Sequence, residues 1–341
     1  MKPPFKPFII PIFIPHCGCP HQCIFCNQQV ITGTSGANPS EKEIHSIINK
    51  FLEYRRKNRS RTEVSFFGGN FLGLAAGQIQ NLLDHVVPFV ESKKIDGIRF
   101  STRPDTIDKE RLNLIRSYPV STIELGVQSM DDRVLRQANR GHIAEDTIHA
   151  VSLIKQEKYQ IGLQMMTGLP GDNEALCLET ARQIIALKPD FVRIYPTLVI
   201  AGSKLADLYK RGKYQPLSIE ECVAQLKKLY LLFQENRINV IRMGLQASDE
   251  LDDPMTVLAG PYHPALGHMV FSKILLDAAA KKIKEKPSFN DSVTLTVHPK
   301  SLSRMQGLNK KNIDTLKQMF DIQCLSLATD PSLEKDDIIV S

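Results

Sequence analysis

The 341 residues include 42% hydrophobic and 23% charged side chains, which allows a substantial core and argues against global disorder. A chain of this length suits one large α/β domain with an appendage rather than a single small core. Lys and Arg outnumber Asp and Glu by 43 to 37, and the excess is concentrated: residues 1–62 and 273–311 each carry nine basic and three acidic side chains. Both stretches are candidate surfaces for an anionic partner, although a solvated lysine-rich face is the plainer reading of either run alone.

In chain order, the apolar stretch Phe8–Pro15 comes first. It is short, is interrupted by Pro11 and Pro15 and lacks a small-residue cleavage site, so it reads as a buried strand and not a signal peptide. No other run approaches the roughly 18 apolar residues of a membrane span, and no membrane association is expected. Four of the seven cysteines fall between positions 17 and 26, while Cys177, Cys222 and Cys324 are scattered. That distribution suits a metal site in a reducing cytoplasm better than a disulfide framework.

Strands are expected at Phe8–Pro15, Glu63–Phe67, Gly97–Thr102, Thr122–Val127, Gln160–Met165 and Phe191–Tyr195. Amphipathic helices fit between them at Glu41–Lys57, Gln78–Ser92, Lys109–Ser117, a segment ending near Glu157, and Glu174–Leu187. Such alternation implies a parallel sheet with right-handed crossovers, here a partial (β/α)6 barrel whose site lies at the C-terminal strand ends. A short helix at Ala206–Arg211, a long one at Ile219–Asn236 and a strand at Asn239–Gly244 extend or close it, giving a first domain of residues 1–245. Residues 246–291 read as a linker, proline-marked over Asp252–Pro264, and a helix at Ala265–Lys284. Residues 292–341 read as a small α+β unit.

Cys19-Pro-His-Gln-Cys23-Ile-Phe-Cys26 directly follows the first strand. Three thiolates on one tight loop can face a common centre, and soft thiolates suit an iron–sulfur cluster. Three ligands for the four irons of a 4Fe–4S cluster leave one iron open. An open iron can chelate the amino and carboxylate groups of a methionine moiety, as reductive cleavage of S-adenosyl-L-methionine requires. The alternative is a structural zinc with Cys17 as fourth thiolate, although zinc sites usually pair two knuckles across a longer spacer. Phe25 packs either on an adenine or within the loop.

This loop resembles the radical S-adenosylmethionine (radical SAM) superfamily, whose C-x3-C-x2-C pattern follows the first barrel strand. Phe66-Phe67-Gly68-Gly69-Asn70 is similar to the family's glycine-rich motif, where Gly68 and Gly69 let the backbone approach the methionine amino group. Asn70 stands where the family often has Glu. Ser101-Thr102-Arg103-Pro104-Asp105, Glu124-Leu-Gly-Val-Gln128-Ser129 and Asn139-Arg140-Gly141-His142 narrow the resemblance to the catalytic subunit of Elongator, the tRNA carboxymethyluridine synthase. Met165–Gly171 and Arg193–Val199 continue it, so that it covers about residues 8–245.

The resemblance implies a 4Fe–4S cluster on Cys19, Cys23 and Cys26. It also implies S-adenosyl-L-methionine held near Gly68, Gly69, Arg103, Asp105, Glu124 and Gln128, any of which could instead brace a strand end. Arg140 and His142 are expected to order their loop. A reducing electron donor such as flavodoxin or ferredoxin is implied, and RNA, in particular tRNA, is the expected substrate class. Nothing after residue 245 resembles the acetyltransferase domain of the Elongator subunit, so the chain reads as a short relative without it.

The C-terminal order β-α-turn-α-β-β, with Gly307-Leu-Asn-Lys310-Lys311 between the helices, is weakly similar to a KH RNA-binding unit. Lys310 replaces the second glycine of its loop, and a plain α/β cap is the competing reading. Tyr262 and His263 lie in a turn leading to a helix start at Pro264. Two other functions fit parts of the sequence. One is an anaerobic porphyrinogen-type dehydrogenation, disfavoured because Asn27 and Gln28, not cysteine, follow Cys26. The other is an RNA-binding protein with a structural metal.

Overall fold

The computed structural model describes residues 7–14, 18–27, 38–54, 61–245, 249–286 and 292–341. Cys17, considered above as a zinc ligand, lies outside them. The chain forms two compact units, residues 1–218 with 232–262, and residues 219–231 with 263–341. No helix among the described residues is long and apolar enough to cross a membrane.

The first unit is built on seven parallel strands: β1 (Phe8–Phe13), β2 (Thr62–Phe67), β3 (Gly97–Thr102), β4 (Val120–Gln128), β5 (Gln160–Thr167), β6 (Phe191–Pro196) and β8 (Asn239–Met243). They lie side by side in that order, each paired with the next in parallel. The expected six-strand partial barrel is therefore present, and Asn239–Met243 extends it by a seventh strand. Period-two alternation explains the layering. One face carries Ile10, Ile12, Val64, Phe66, Ile98, Phe100, Ile123 and Leu125, all without solvent exposure. On this side Phe71 stacks between Phe66 and Phe100, with ring centroids at 5.0 and 4.5 Å.

The other face is polar, and its contacts reveal the curl. The Arg193 guanidinium of β6 lies 5.8 Å from the Phe67 ring of β2. Four strand steps of about 4.8 Å would separate these residues by roughly 19 Å on a flat sheet, so the sheet must wrap around this face.

Several local features departed from sequence expectation. Helix Gln78–Ser92 is two helices, Ala76–Asp84 and Val87–Glu91, with Pro88 in the first turn of the second, where its missing N–H is tolerated. The stretch Asp252–Pro264 contains a strand, β9 (Val257–Ala259), antiparallel to β7 (Val199–Ile200). Two or three residues are too few for alternation to register as a strand.

In the second unit, β10 (Ser292–Val297) lies between β11 (Cys324–Thr329), parallel, and β12 (Ile338–Val340), antiparallel. Helices Leu302–Gln306 and Lys311–Phe320 complete the expected β-α-turn-α-β-β order. The helix at Leu266–Lys284 shares their core: Leu275, Ala279 and Ile283 pack with Val293, Leu295 and Leu316. Asn312, nearly fully buried, donates from Nδ2 to the Ser272 carbonyl at 2.9 Å and to Ser272 Oγ at 3.0 Å. Residues 219–231 join this unit through Lys227 Nζ, 2.6 Å from Asp277 Oδ2, and through an edge-on contact of Tyr230 with Phe271.

Candidate active site

Asn70, at the end of β2, organises the strand ends. Its Oδ1 accepts from Thr102 Oγ1 (2.6 Å), Thr106 Oγ1 (3.1 Å) and the Arg103 backbone N–H (3.0 Å). Its Nδ2 donates to the Gly18 carbonyl at 2.8 Å, tying the cysteine loop to β2. A carboxylate could not make this last bond, since it has no donor when ionised. Gly68, just before, has φ +103°, and an added Cβ would stand 2.5 Å from the Ile14 carbonyl. Only glycine fits there. Gly69 is partly exposed beside it.

The cysteine loop is anchored on three sides. Ile24 N–H donates to Ala138 O (3.0 Å), Leu205 N–H to Ile24 O (2.8 Å), and Asn139 Nδ2 to Gln22 O (2.7 Å). Asn27 Nδ2 reaches Ala201 O at 2.8 Å. Phe25 packs against two apolar clusters, one around Val199 and Leu205 and the other around Val134 and Leu169. Gly141, with φ +77°, lies against the His21 ring, which an added Cβ would overlap.

Cys23 is buried, and two guanidinium groups face its thiol: Arg140 Nη1 at 3.3 Å and Arg103 Nη1 at 4.0 Å. Arg103 is gripped by Asp105 through two bonds of 2.8 Å. It also donates to the Arg140 carbonyl. Burial raises the Cys19 thiol pKa, while Arg140 and Arg103 pull it back down. His142 is buried nearby, its pKa lowered to about 3 by burial and then by Arg140.

Glu124 lies deeper on the concave face and is fully buried. Its oxygens are met by Arg99 Nη1 (3.2 Å), Arg193 Nε (2.7 Å) and Gln164 Nε2 (3.0 Å). Arg99 also pairs with the buried Glu63 at 2.6 Å, so a charge chain crosses β2, β3, β4 and β6. Gln128, partly exposed at the end of β4, sits at a break in register with φ +69°. A non-glycine residue in that region marks local strain.

The structure thus gathers Cys23, Arg103, Asp105 and Arg140 around one point, with Asn70 fixing the strand ends beside it. Glu124 stands apart, engaged by two arginines. Sequence reasoning missed Glu63, Arg99, Gln164 and Arg193 as a network. The available signal was a charged or amide side chain at an inward-alternating position of each strand from β2 to β6.

The sequence profile of the Radical SAM superfamily matches residues 13–184, and that of the radical SAM C-terminal domain matches residues 189–275. The chain belongs to the radical SAM superfamily, a class of enzymes associated with S-adenosylmethionine and an iron–sulfur cluster. Within it, the relatives are of the Elongator protein 3 kind. An uncharacterized protein of Methanocaldococcus jannaschii is 29% identical over 228 residues, 64% of this chain and 70% of that one. Human Elongator complex protein 3 is 27% identical over 259 residues, 63% of this chain and 47% of its own length. The tRNA uridine(34) acetyltransferase of Methanocaldococcus jannaschii is 36% identical over 125 residues, 36% of this chain and 23% of its own. The chain therefore spans half or less of the length of these functionally named relatives. In fold it matches the archaeal Methanocaldococcus infernus Elp3 with a TM-score of 0.62 at 20% identity, over 80% of this chain and 64% of that one.

The residues present fit an iron–sulfur cluster. The loop offers three soft thiols, and two fixed guanidinium groups, those of Arg140 and Arg103, face the Cys23 sulfur at 3.3 and 4.0 Å. Among the described residues, no three His, Cys, Asp or Glu side chains converge as ligands of a single ion. A cluster does not require that convergence, because each thiolate binds a different iron.

Proposed function

We propose that Cys19, Cys23 and Cys26 hold three irons of a 4Fe–4S cluster and that the enzyme acts on RNA of the tRNA type. The observation carrying the cluster reading is the buried Cys23 thiol beneath Arg140 and Arg103, on a loop tied to the glycine-rich end of β2. When bound, such a cluster supplies the electron that cleaves S-adenosyl-L-methionine to methionine and a 5′-deoxyadenosyl radical.

The chain's own residues bind and orient. Gly68 and Gly69 leave the β2 end open for the amino group of the methionine moiety, and Gln128 offers its amide at the end of β4. Arg103 and Asp105 hold each other and brace the cysteine loop. Glu124 acts one step removed, fixing Arg99 and Arg193 on the concave face. RNA as substrate is supported by relatives named for tRNA uridine(34) modification and by the basic stretches 1–62 and 273–311.

The test is anaerobic reconstitution followed by reduction with dithionite in the presence of S-adenosyl-L-methionine. About four irons and four sulfides per chain are expected, with methionine and 5′-deoxyadenosine released. Replacing Cys19, Cys23 or Cys26 by Ala should abolish both. A colourless protein holding one zinc would overturn the cluster reading. Mass analysis of nucleosides in tRNA incubated with the enzyme tests the substrate, and unchanged nucleosides without bound RNA would overturn it.

A further inference from the structure

Arg140 is 7% exposed, yet no carboxylate pairs with it among the described residues. Its neighbour Arg103 has Asp105 to itself, through the single guanidinium edge formed by Nε and Nη2. Arg140 Nη2 donates to the Gly126 carbonyl at 2.6 Å, its Nη1 points to Cys23 Sγ at 3.3 Å, and its Nε has no hydrogen-bond partner among the described residues. A buried cation without a counter-ion costs several kcal/mol, so this arrangement calls for negative charge close by. The group nearest its free edge able to carry that charge is the Cys23 thiol. Cys19 is within electrostatic reach of the same guanidinium.

The placement is built into the fold. Gly126 has no side chain where a Cβ would stand 2.8 Å from Arg140 Nη2, so the guanidinium can lie flat against β4. The Arg140 carbonyl is held in turn by Arg103 Nη2. The side chain is therefore anchored at its backbone and at its tip, with Nη1 left to face sulfur.

We infer that Arg140 sets the reduction potential of the cluster on this loop by donating an N–H···S bond and a positive charge to the Cys23 thiolate. The inference rests on the ligand assignment proposed above. Reduction adds one electron to a cluster that already bears thiolate charge. A fixed cation and a hydrogen bond on a ligand sulfur stabilise the reduced form more than the oxidised one, which raises the potential. In a buried setting the effect is large, because little water screens it. Arg140 is thus a positioning and tuning residue that acts through Cys23.

The experiment is a mediated redox titration of the anaerobically reconstituted protein, followed by the electron paramagnetic resonance signal of the reduced cluster. It is run without S-adenosyl-L-methionine, so that altered cofactor binding cannot move the result. Wild type, Arg140→Lys and Arg140→Gln are compared, with Arg116→Gln as a control at an exposed arginine paired with Glu157. At a fixed potential, the ratio of reduced to oxidised cluster should fall about tenfold in Arg140→Gln, equivalent to about 59 mV for a one-electron couple. Arg140→Lys, which keeps the charge but loses the planar fork, should fall between, and the control should match wild type. Should Arg140→Gln load poorly, the Lys variant decides alone. Variants with full iron and sulfide and an unchanged midpoint overturn the inference. A wild type that takes up no cluster overturns the ligand assignment instead.

Discussion

At the scale of single residues, the site depends on side chains that are not themselves reactive. Asn70 is the clearest case, because one amide both accepts from β3 and donates to the cysteine loop. Asn70→Asp keeps the size and the acceptors but sets a carboxylate oxygen against the Gly18 carbonyl. Loss of that buried bond should cost about 1–3 kcal/mol and loosen the loop. We expect fewer irons retained per chain after reconstitution and desalting, read against Asn70→Gly as the deletion reference. Iron retention equal to wild type in Asn70→Asp would show that the bond does not hold the loop.

His142 gives a pH prediction. Its folded pKa is about 3 against an ordinary 6.5, lowered by burial first and Arg140 second. The unfolded chain therefore takes up a proton before the fold does. Stability is complete above pH 6.5 and declines as pH falls from 6.5 towards 3. Between pH 7 and pH 5 the loss should be on the order of 2 kcal/mol. Denaturant unfolding of wild type and His142→Gln at both values isolates this share, since other histidines contribute equally to both proteins. Equal pH dependence in the two would remove His142 as its source.

At the scale of elements, the strands were the most legible part of the sequence and the concave network the least. Gly97–Thr102 was expected with its observed ends, because apolar and polar positions alternate cleanly there. The pairing of Glu124 with Arg99 and Arg193 was hidden, since it joins β4 to β3 and β6, and the strand order and register that set those side chains face to face are not written in the pattern of any one strand. Cys23 was visible by spacing and Arg103 through the family resemblance, but their contact spans 80 positions and needed the fold. Glu124→Ala should leave Arg99 and Arg193 buried with a missing partner and cost about 3–5 kcal/mol. Urea midpoints for wild type, Glu124→Ala and Glu124→Gln test it, with Gln expected to fall between.

The turn Gly307–Lys310, which precedes helix Lys311–Phe320, is another element-scale test. Asn309 and Lys310 both have positive φ, and Lys310 and Lys311 are exposed. If RNA is the substrate and this turn meets its backbone, Lys310→Ala with Lys311→Ala should weaken tRNA binding and flatten its salt dependence. Two lost contacts to single-stranded phosphates correspond to a slope change of roughly 1.4 in log K against log salt. Unchanged slope and affinity would assign the unit a structural role instead.

At the scale of the whole molecule, the chain passes between its two compact units three times, entering the second at residue 219, leaving after 231 and returning at 263. Sequence patterning marked a boundary near residue 245 but did not reveal this exchange, because helix Ile219–Glu235 is continuous across it. A truncation after Tyr262 should therefore be more damaging than a cut between two independent domains. It strips Lys227 and Tyr230 of Asp277 and Phe271 and uncovers the apolar side of residues 219–231. We expect poor soluble yield and binding of a hydrophobic dye, compared with the intact chain. A truncated protein that is soluble, monomeric and dye-silent would contradict this.

The same exchange imposes a delay during synthesis on the ribosome. Residues 219–231 emerge roughly a hundred residues ahead of strand Ile338–Val340, the last element of the compact unit they belong to. At about 5–20 residues per second, that interval lasts from about 5 to 20 s. Until the rest of that unit emerges, Lys227 and Tyr230 lack Asp277 and Phe271, and Leu226 and Leu229, both fully buried in the finished protein, sit in a unit not yet complete. The nascent chain thus offers a transient apolar segment to whatever holds unfolded polypeptides at the tunnel exit. Slower translation of the last third of the message would lengthen that exposure without altering a single residue of the product.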